Sequence, residues 1–217
     1  FIRIKWLEYA SFSVSGVDFS HIDYAIWSTL QGRLMEIPII AKQPTYDNFF
    51  GNHFSPILFV WVAARWIFDH PFTSLVVHAL ALSSAVIPMH SLARKQAGAA
   101  IASILTLTYL FTGITASTLQ FEMHQEAFYP VALMTFLYGL AQPNRYLAVL
   151  GFLLTMSIKE DAGIYIFGTG VVFFLVHRKR RWESLGFGLL GLAGAILTYK
   201  VFMRMHQPPN PPMEAYY

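Results

Sequence analysis

The chain contains no cysteine, so neither a disulfide framework nor a thiolate metal site organises it, and the redox compartment cannot be inferred. Charge is almost as scarce. Asp, Glu, Lys and Arg together make up 12% of the 217 residues, far below the share a soluble surface carries. There is no basic patch with interleaved aromatics, which argues against a nucleic-acid partner. What fills the chain instead is apolar: 55% hydrophobic and 16% aromatic residues, with a positive mean hydropathy. This composition predicts an all-α, polytopic membrane protein. The net charge of +3 is small, and in such a protein the placement of the basic residues carries more information than their sum. The chain starts at Phe1 and stops at Tyr216-Tyr217 after a proline-rich run, as expected of a fragment or a processed form that a further transmembrane helix precedes.

Residues 1–52 hold no apolar run near the roughly 20 residues of a span. Residues 1–73 are therefore expected to form an extracytoplasmic loop with interfacial helices. One of these should start at Asp18 or Ser20 and place Ile22, Ile26 and Leu30 on one face. The stretch 54–68 is short, opens with Ser55-Pro56 and carries Arg65, which suits an interfacial helix. A transmembrane bundle is expected over 74–206, with about six spans at 74–92, 98–119, 127–141, 146–158, 162–177 and 184–203, and Pro88 predicts a kink. The break at Lys159-Glu160-Asp161 follows from the positive-inside rule, because a single long helix over 146–177 would put the basic run 177–181 on the wrong side. Gly163, Gly168 and Gly170 are placed to allow close helix packing. Residues 207–217 read as a Pro-rich outer tail. In this topology Glu183 is the one acidic residue left on the cytoplasmic side.

Polar clusters converge on the outer face: Asp18, His21 and Asp23; Asn52 and His53; Glu122, His124 and Glu126; and Lys159, Glu160 and Asp161. Carboxylates and imidazoles together can act as a general base or bind a divalent cation. Each cluster also has a plainer reading. Asp18 and Asp23 suit a helix N-cap and a solvated charge, and His53 suits a cap before Pro56. Lys159, Glu160 and Asp161 suit an internally neutralised turn. Glu122 and Glu126, at i and i+4, would share a helix face and repel unless a cation, proton or ligand intervenes. His78 and His90 read as packed or hydrogen-bonded histidines. The run 178–181 reads as a topology signal that also touches anionic lipid. Trp6, Trp27, Trp61, Trp66 and Trp182 read as interfacial belts.

The order Asp18-x4-Asp23-x-Ala25-x-Trp27, Asn52-His53-Phe54-Ser55-Pro56, His124-x-Glu126-Ala127 and Lys159-Glu160-Asp161 resembles a family of predicted prokaryotic integral-membrane proteins of unknown function, allied to the GT-C glycosyltransferases. The likeness runs from about Asp18 to Arg181. It departs at Glu122 and Gln125, where the family pattern has Asp and Pro. The resemblance implies a GT-C-like helical bundle in a prokaryotic inner or plasma membrane, with its polar clusters on the extracytoplasmic side. It further implies transfer of a sugar from a polyprenyl-phosphate donor. Asp18 would be the catalytic carboxylate, with Glu122 and Asp23 as further acidic site residues. His53, His124, Glu126, Lys159, Glu160 and Asp161 would bind substrate. Lys159 or Arg65 would neutralise the lipid phosphate, and a divalent cation would have Asp18, His53, Glu122 and His124 as candidate ligands. The alternative is an accessory subunit of a larger membrane complex that keeps the fold without the reaction. A transporter is a third reading, although no inverted repeat supports it.

Overall fold

The computed structural model describes residues 1–14, 17–37, 48–121, 123–142 and 144–206. Two of the sequence expectations, on Glu122 and on the tail 207–217, lie outside the described residues. Among those residues all regular structure is helical, apart from an isolated antiparallel bridge between Glu36 and Asn48.

The first third builds a cap from short helices: α1 (Ile2–Ala10), α2 (Val17–Leu30), α3 (Phe49–Asn52), a 3-10 turn (Pro56–Leu58) and α4 (Phe59–Ile67). As its spacing predicts, α2 buries Ile22, Ala25 and Ile26. These side chains join Phe50, Leu58, Trp61, Leu75, Met123, Ala132 and Ile158 in the main core. The helical period places Leu58, Trp61 and Arg65 on one face, and that face points inward. Trp61 is therefore not a belt residue: it is fully buried, and its indole N–H donates to the Ser74 carbonyl at 2.9 Å. Trp6, Trp66 and Trp182 do stay exposed.

Among the described residues two helical stretches are long and apolar enough to cross a membrane, residues 71–111 and 181–205. The first comprises α5 (Pro71–Ser84) and α6 (Val86–Phe111). The expected span 74–92 breaks at Ala85. Pro88 has no N–H to offer the Ser84 carbonyl, so the effect of the proline falls one turn before it. Gly98, with φ 86° and ψ 169°, is not helical, and α6 turns there. The hydroxyl of Tyr109 donates to the Leu82 carbonyl at 2.8 Å, a contact that a straight helix would put about 40 Å out of reach. The chain therefore doubles back around Gly98. The expected span 98–119 is interrupted as well. Thr112 adopts an extended conformation and caps α7 (Gly113–Gln120), its hydroxyl accepting from the Thr115 N–H.

The second half is two tight helix pairs. α8 (Tyr129–Ala141) packs on α9 (Arg145–Met156), and α10 (Ala162–Val176) packs on α11 (Arg181–Leu197). The helices α8, α9 and α10 have 13, 12 and 15 residues, fewer than the roughly 20 that cross a bilayer unaided. Gly139 sits against the Ala148 backbone and Gly151 against Phe136. Gly163 meets the Gly191 carbonyl, and Gly170 meets Ser184 and Gly188. Gly168 faces open space, contrary to its expected packing role. At one end of these pairs Arg180 donates to the carbonyls of Gly139, Leu140 and Gln142 and pairs with Glu183. The other end carries the residues at 124–129 and 157–161. Large apolar side chains point outward along the bundle, among them Ile104, Leu107, Leu153, Val172, Leu175, Leu190 and Ile196. Lipid can cover such a surface; water covers it poorly.

Candidate functional site

Four segments meet above the main core. The first turn of α2 brings Asp18 and His21, and the end of α3 brings Asn52 and His53. The link between α7 and α8 brings His124, Gln125 and Glu126, and the turn between α9 and α10 brings Lys159. Together they line a polar cavity of about 150 Å3. A string of charge contacts crosses it: Asp18 Oδ2 to His124 Nε2 at 3.5 Å, His124 Nδ1 to Glu126 Oε2 at 3.3 Å, and Lys159 Nζ to Glu126 Oε1 at 2.8 Å.

Phe121 and His124, on the link between α7 and α8, both have β-type backbone angles. Two side chains from elsewhere hold this link. Lys5, fully buried, donates to the Phe121 carbonyl at 2.6 Å and pairs with Glu8. His78, also fully buried, joins the Thr118 carbonyl through Nε2 at 3.1 Å, and its Nδ1 accepts the His124 N–H at 3.1 Å. Sequence reasoning missed Lys5 altogether. Its signal was a pair of cations, Arg3 and Lys5, inside the otherwise apolar run Phe1-Ile2-Arg3-Ile4-Lys5-Trp6-Leu7.

The turn at 159–161 is not neutralised internally, because each side chain reaches a different segment. Lys159 holds Glu126. Glu160 accepts from the Phe54 N–H at 3.2 Å and meets His53 Nδ1 at 3.0 Å. Asp161 accepts from the Tyr129 hydroxyl at 2.8 Å. Burial alone would push Glu126 up, but the contacts to His124 and Lys159 outweigh it and hold the carboxyl at about 2. Burial opposes the charge of Lys159, yet Glu126 keeps the ammonium above its ordinary range. Glu160 lies below the ordinary glutamate value; burial raises it, and His53 and Lys159 overcome that.

Asp23 and Arg65 are not in the cavity. Arg65 bonds Asp23, a short contact, and also pairs with Asp69 at 2.8 Å, while the Ser74 hydroxyl donates to Asp23 at 3.2 Å. Burial nonetheless keeps the Asp23 carboxyl above its ordinary value, against the pull of Arg65 and Ser74. Arg65 is 3% exposed, so its expected role at a lipid phosphate gives way to a structural one. Among the described residues no three His, Asp or Glu are placed to hold a metal ion, and the ring nitrogen Nδ1 of His53 is turned to Glu160; Glu122, another of the candidate ligands, lies outside the described residues.

Two more features bear on ligand chemistry. Gln125 is 2% exposed and lines the cavity, and its Oε1 has no hydrogen-bond partner among the described residues. Beyond His124 and Glu126 lies a second cavity of about 310 Å3, walled by Ser117, Thr118, Phe121 and Ala127 and mostly apolar. His124 and Glu126 form the wall common to both.

No curated protein and no solved structure matches the chain. Residues 8–210 match the predicted membrane proteins grouped as DUF2079, and with nearly all of its 217 residues inside that match, the chain belongs to this family.

Proposed function

We propose that the protein transfers a sugar from a polyprenyl-phosphate donor to an acceptor hydroxyl at the extracytoplasmic face of a prokaryotic membrane. The observation that carries this reading is the shared wall. His124 and Glu126 separate a polar cavity from an apolar one, the division that a ligand with a sugar head and a hydrocarbon tail requires. The orphan Gln125 Oε1 adds to it, because a buried acceptor without a donor is costly and a sugar or acceptor hydroxyl supplies one. The resemblance to the GT-C enzymes gives the reaction its class.

In this mechanism Asp18, half-exposed at the mouth of the polar cavity, takes the proton of the acceptor hydroxyl. The oxygen attacks the anomeric carbon, the bond from that carbon to the phosphate oxygen breaks, and polyprenyl phosphate leaves with the electron pair. Lys159 faces the departing phosphate, and His124, held between Asp18 and Glu126, orients the base. No step uses a cation.

The test offers the purified protein in lipid a labelled polyprenyl-phosphate sugar and compares it with Asp18→Asn. Transfer should fall about 10²–10⁴-fold, the usual worth of a general base. Asp23→Asn serves as a contrast. It orphans part of a buried pair with Arg65 and should cost about 3 kcal/mol of stability, with transfer per folded molecule kept. Turnover by Asp18→Asn at the wild-type rate, or no transfer from any polyprenyl-phosphate sugar, would refute the reading.

A further inference from the structure

On the face of α7 away from the candidate site lies the larger groove, about 810 Å3, walled by Ile2, Ile4, Leu80, Val86, Leu110 and Phe111. It is open to the outside, and its walls come from α1, α5, α6 and α7. The segment at its edge is not loose: Phe1 packs on Ala79, Leu82 and Leu119. Arg3 also lines the groove, between two exposed isoleucines. Arg3 has no acidic partner among the described residues, unlike Lys5, which has Glu8, and Arg65, which has Asp23 and Asp69.

The groove borders the stretch 71–111, one of the two that can cross a membrane. A guanidinium beside such a surface is unfavourable without an anion. Apolar walls next to a cation with no acidic partner among the described residues call for a ligand with a hydrocarbon chain and a negative head, and the bilayer offers one in its anionic glycerophospholipids. A guanidinium holds a phosphodiester through two parallel N–H donors.

We propose that this groove is a binding site for an anionic membrane phospholipid, with one acyl chain along α6 and α7 and the phosphate at Arg3. The site is separate from the polar cavity, since Asp18, His124 and Lys159 take no part in it.

The experiment titrates the detergent-purified full chain with phosphatidylglycerol and with phosphatidylcholine of the same acyl chains, reading bound lipid by native mass spectrometry. Phosphatidylglycerol should be retained in preference. Arg3→Gln should reduce that preference roughly fivefold, the worth of one basic residue against an anionic lipid, with the neutral lipid little changed. Ala116 is exposed and lines the groove, so Ala116→Trp fills it without touching the core and should lose both lipids. Equal retention of the two lipids by the wild type would overturn the proposal, as would a preference that survives Arg3→Gln or binding that survives Ala116→Trp. Crosslinking of a benzophenone at position 116 to a protein segment rather than to lipid would overturn it too.

Discussion

His78 Nδ1 accepts the backbone N–H of His124 at 3.1 Å, while its Nε2 meets the Thr118 carbonyl at 3.1 Å. With both ring nitrogens engaged, the neutral imidazole is fixed in one tautomer, Nε2–H donating and Nδ1 accepting. The ring joins α5 to the link that carries the site, so an apolar helix sets where His124 stands between Asp18 and Glu126. His78→Ala leaves an N–H and a carbonyl without partners, each worth about 1–3 kcal/mol when buried. Thermal unfolding in detergent should show that loss. His78→Phe fills the volume but restores neither bond, and it should stay destabilised. Wild-type stability in both variants would mean the two bonds carry nothing.

Gln125 should behave in the opposite direction. Removing an unsatisfied buried polar atom usually stabilises, and sites bound to function are where stability is given up. Gln125→Leu is expected to raise the unfolding midpoint while raising KM for the acceptor or donor. A variant that is both less stable and unchanged in KM would show that the amide serves the fold alone.

The glycines of α10 separate packing from composition. A methyl at Gly163 would overlap the Gly191 carbonyl oxygen, and one at Gly170 would press on Ser184 and Gly188. Gly163→Ala and Gly170→Ala should each destabilise by about 1–3 kcal/mol, the usual range for overpacking. Gly168→Ala meets no neighbour and should be neutral or gain up to about 1 kcal/mol from helix propensity. Chemical denaturation of the three variants side by side would check the order, and equal effects would refute it.

The carboxyl of Glu126 falls from an ordinary 4.5 to about 2 on folding. A lowered folded-state value gives stability that is present above pH 4.5 and lost as pH drops toward 2. Glu160 is lowered too and adds to the loss on the acid side. Lys159→Met removes the cation that holds Glu126 down, so burial raises that carboxyl toward or past its unfolded value, and the variant, less stable at neutral pH, loses less stability on acidification. Melting temperatures from pH 2 to 7 for wild type and variant should differ most near neutral pH and converge as pH falls. Parallel profiles would show that the Lys159 contact does not set the titration.

Much of this arrangement could be read from the residues. Ile22 and Ile26 sit at helical spacing and are buried. Polar runs too costly to place in an apolar layer became turns, and so Lys159-Glu160-Asp161 ends α9 and precedes α10. The convergence of Asp18, His53, His124, Glu126 and Lys159 followed from putting those turns on one side. The failures share a cause, since local pattern does not say which partner a side chain finds. Arg65 looked like a cation for a ligand because Asp23 lies 42 positions away in sequence. Trp61 looked interfacial because its amphipathic ring suits either place. Gly98 was one glycine among 14, and only its positive φ marks it as the point where the chain doubles back.

Arg180 ties the end of α8 to the loop before α11, donating to the carbonyls of Gly139, Leu140 and Gln142 at that helix end. It also belongs to the basic run 177–181, which the positive-inside rule predicts to orient a helix pair during insertion. An α10–α11 pair inserted the wrong way round would carry this guanidinium to the far side of the bilayer, and the end of α8 would stay uncapped. Misoriented chains would therefore remain open there, while Arg180 in place closes the end of α8.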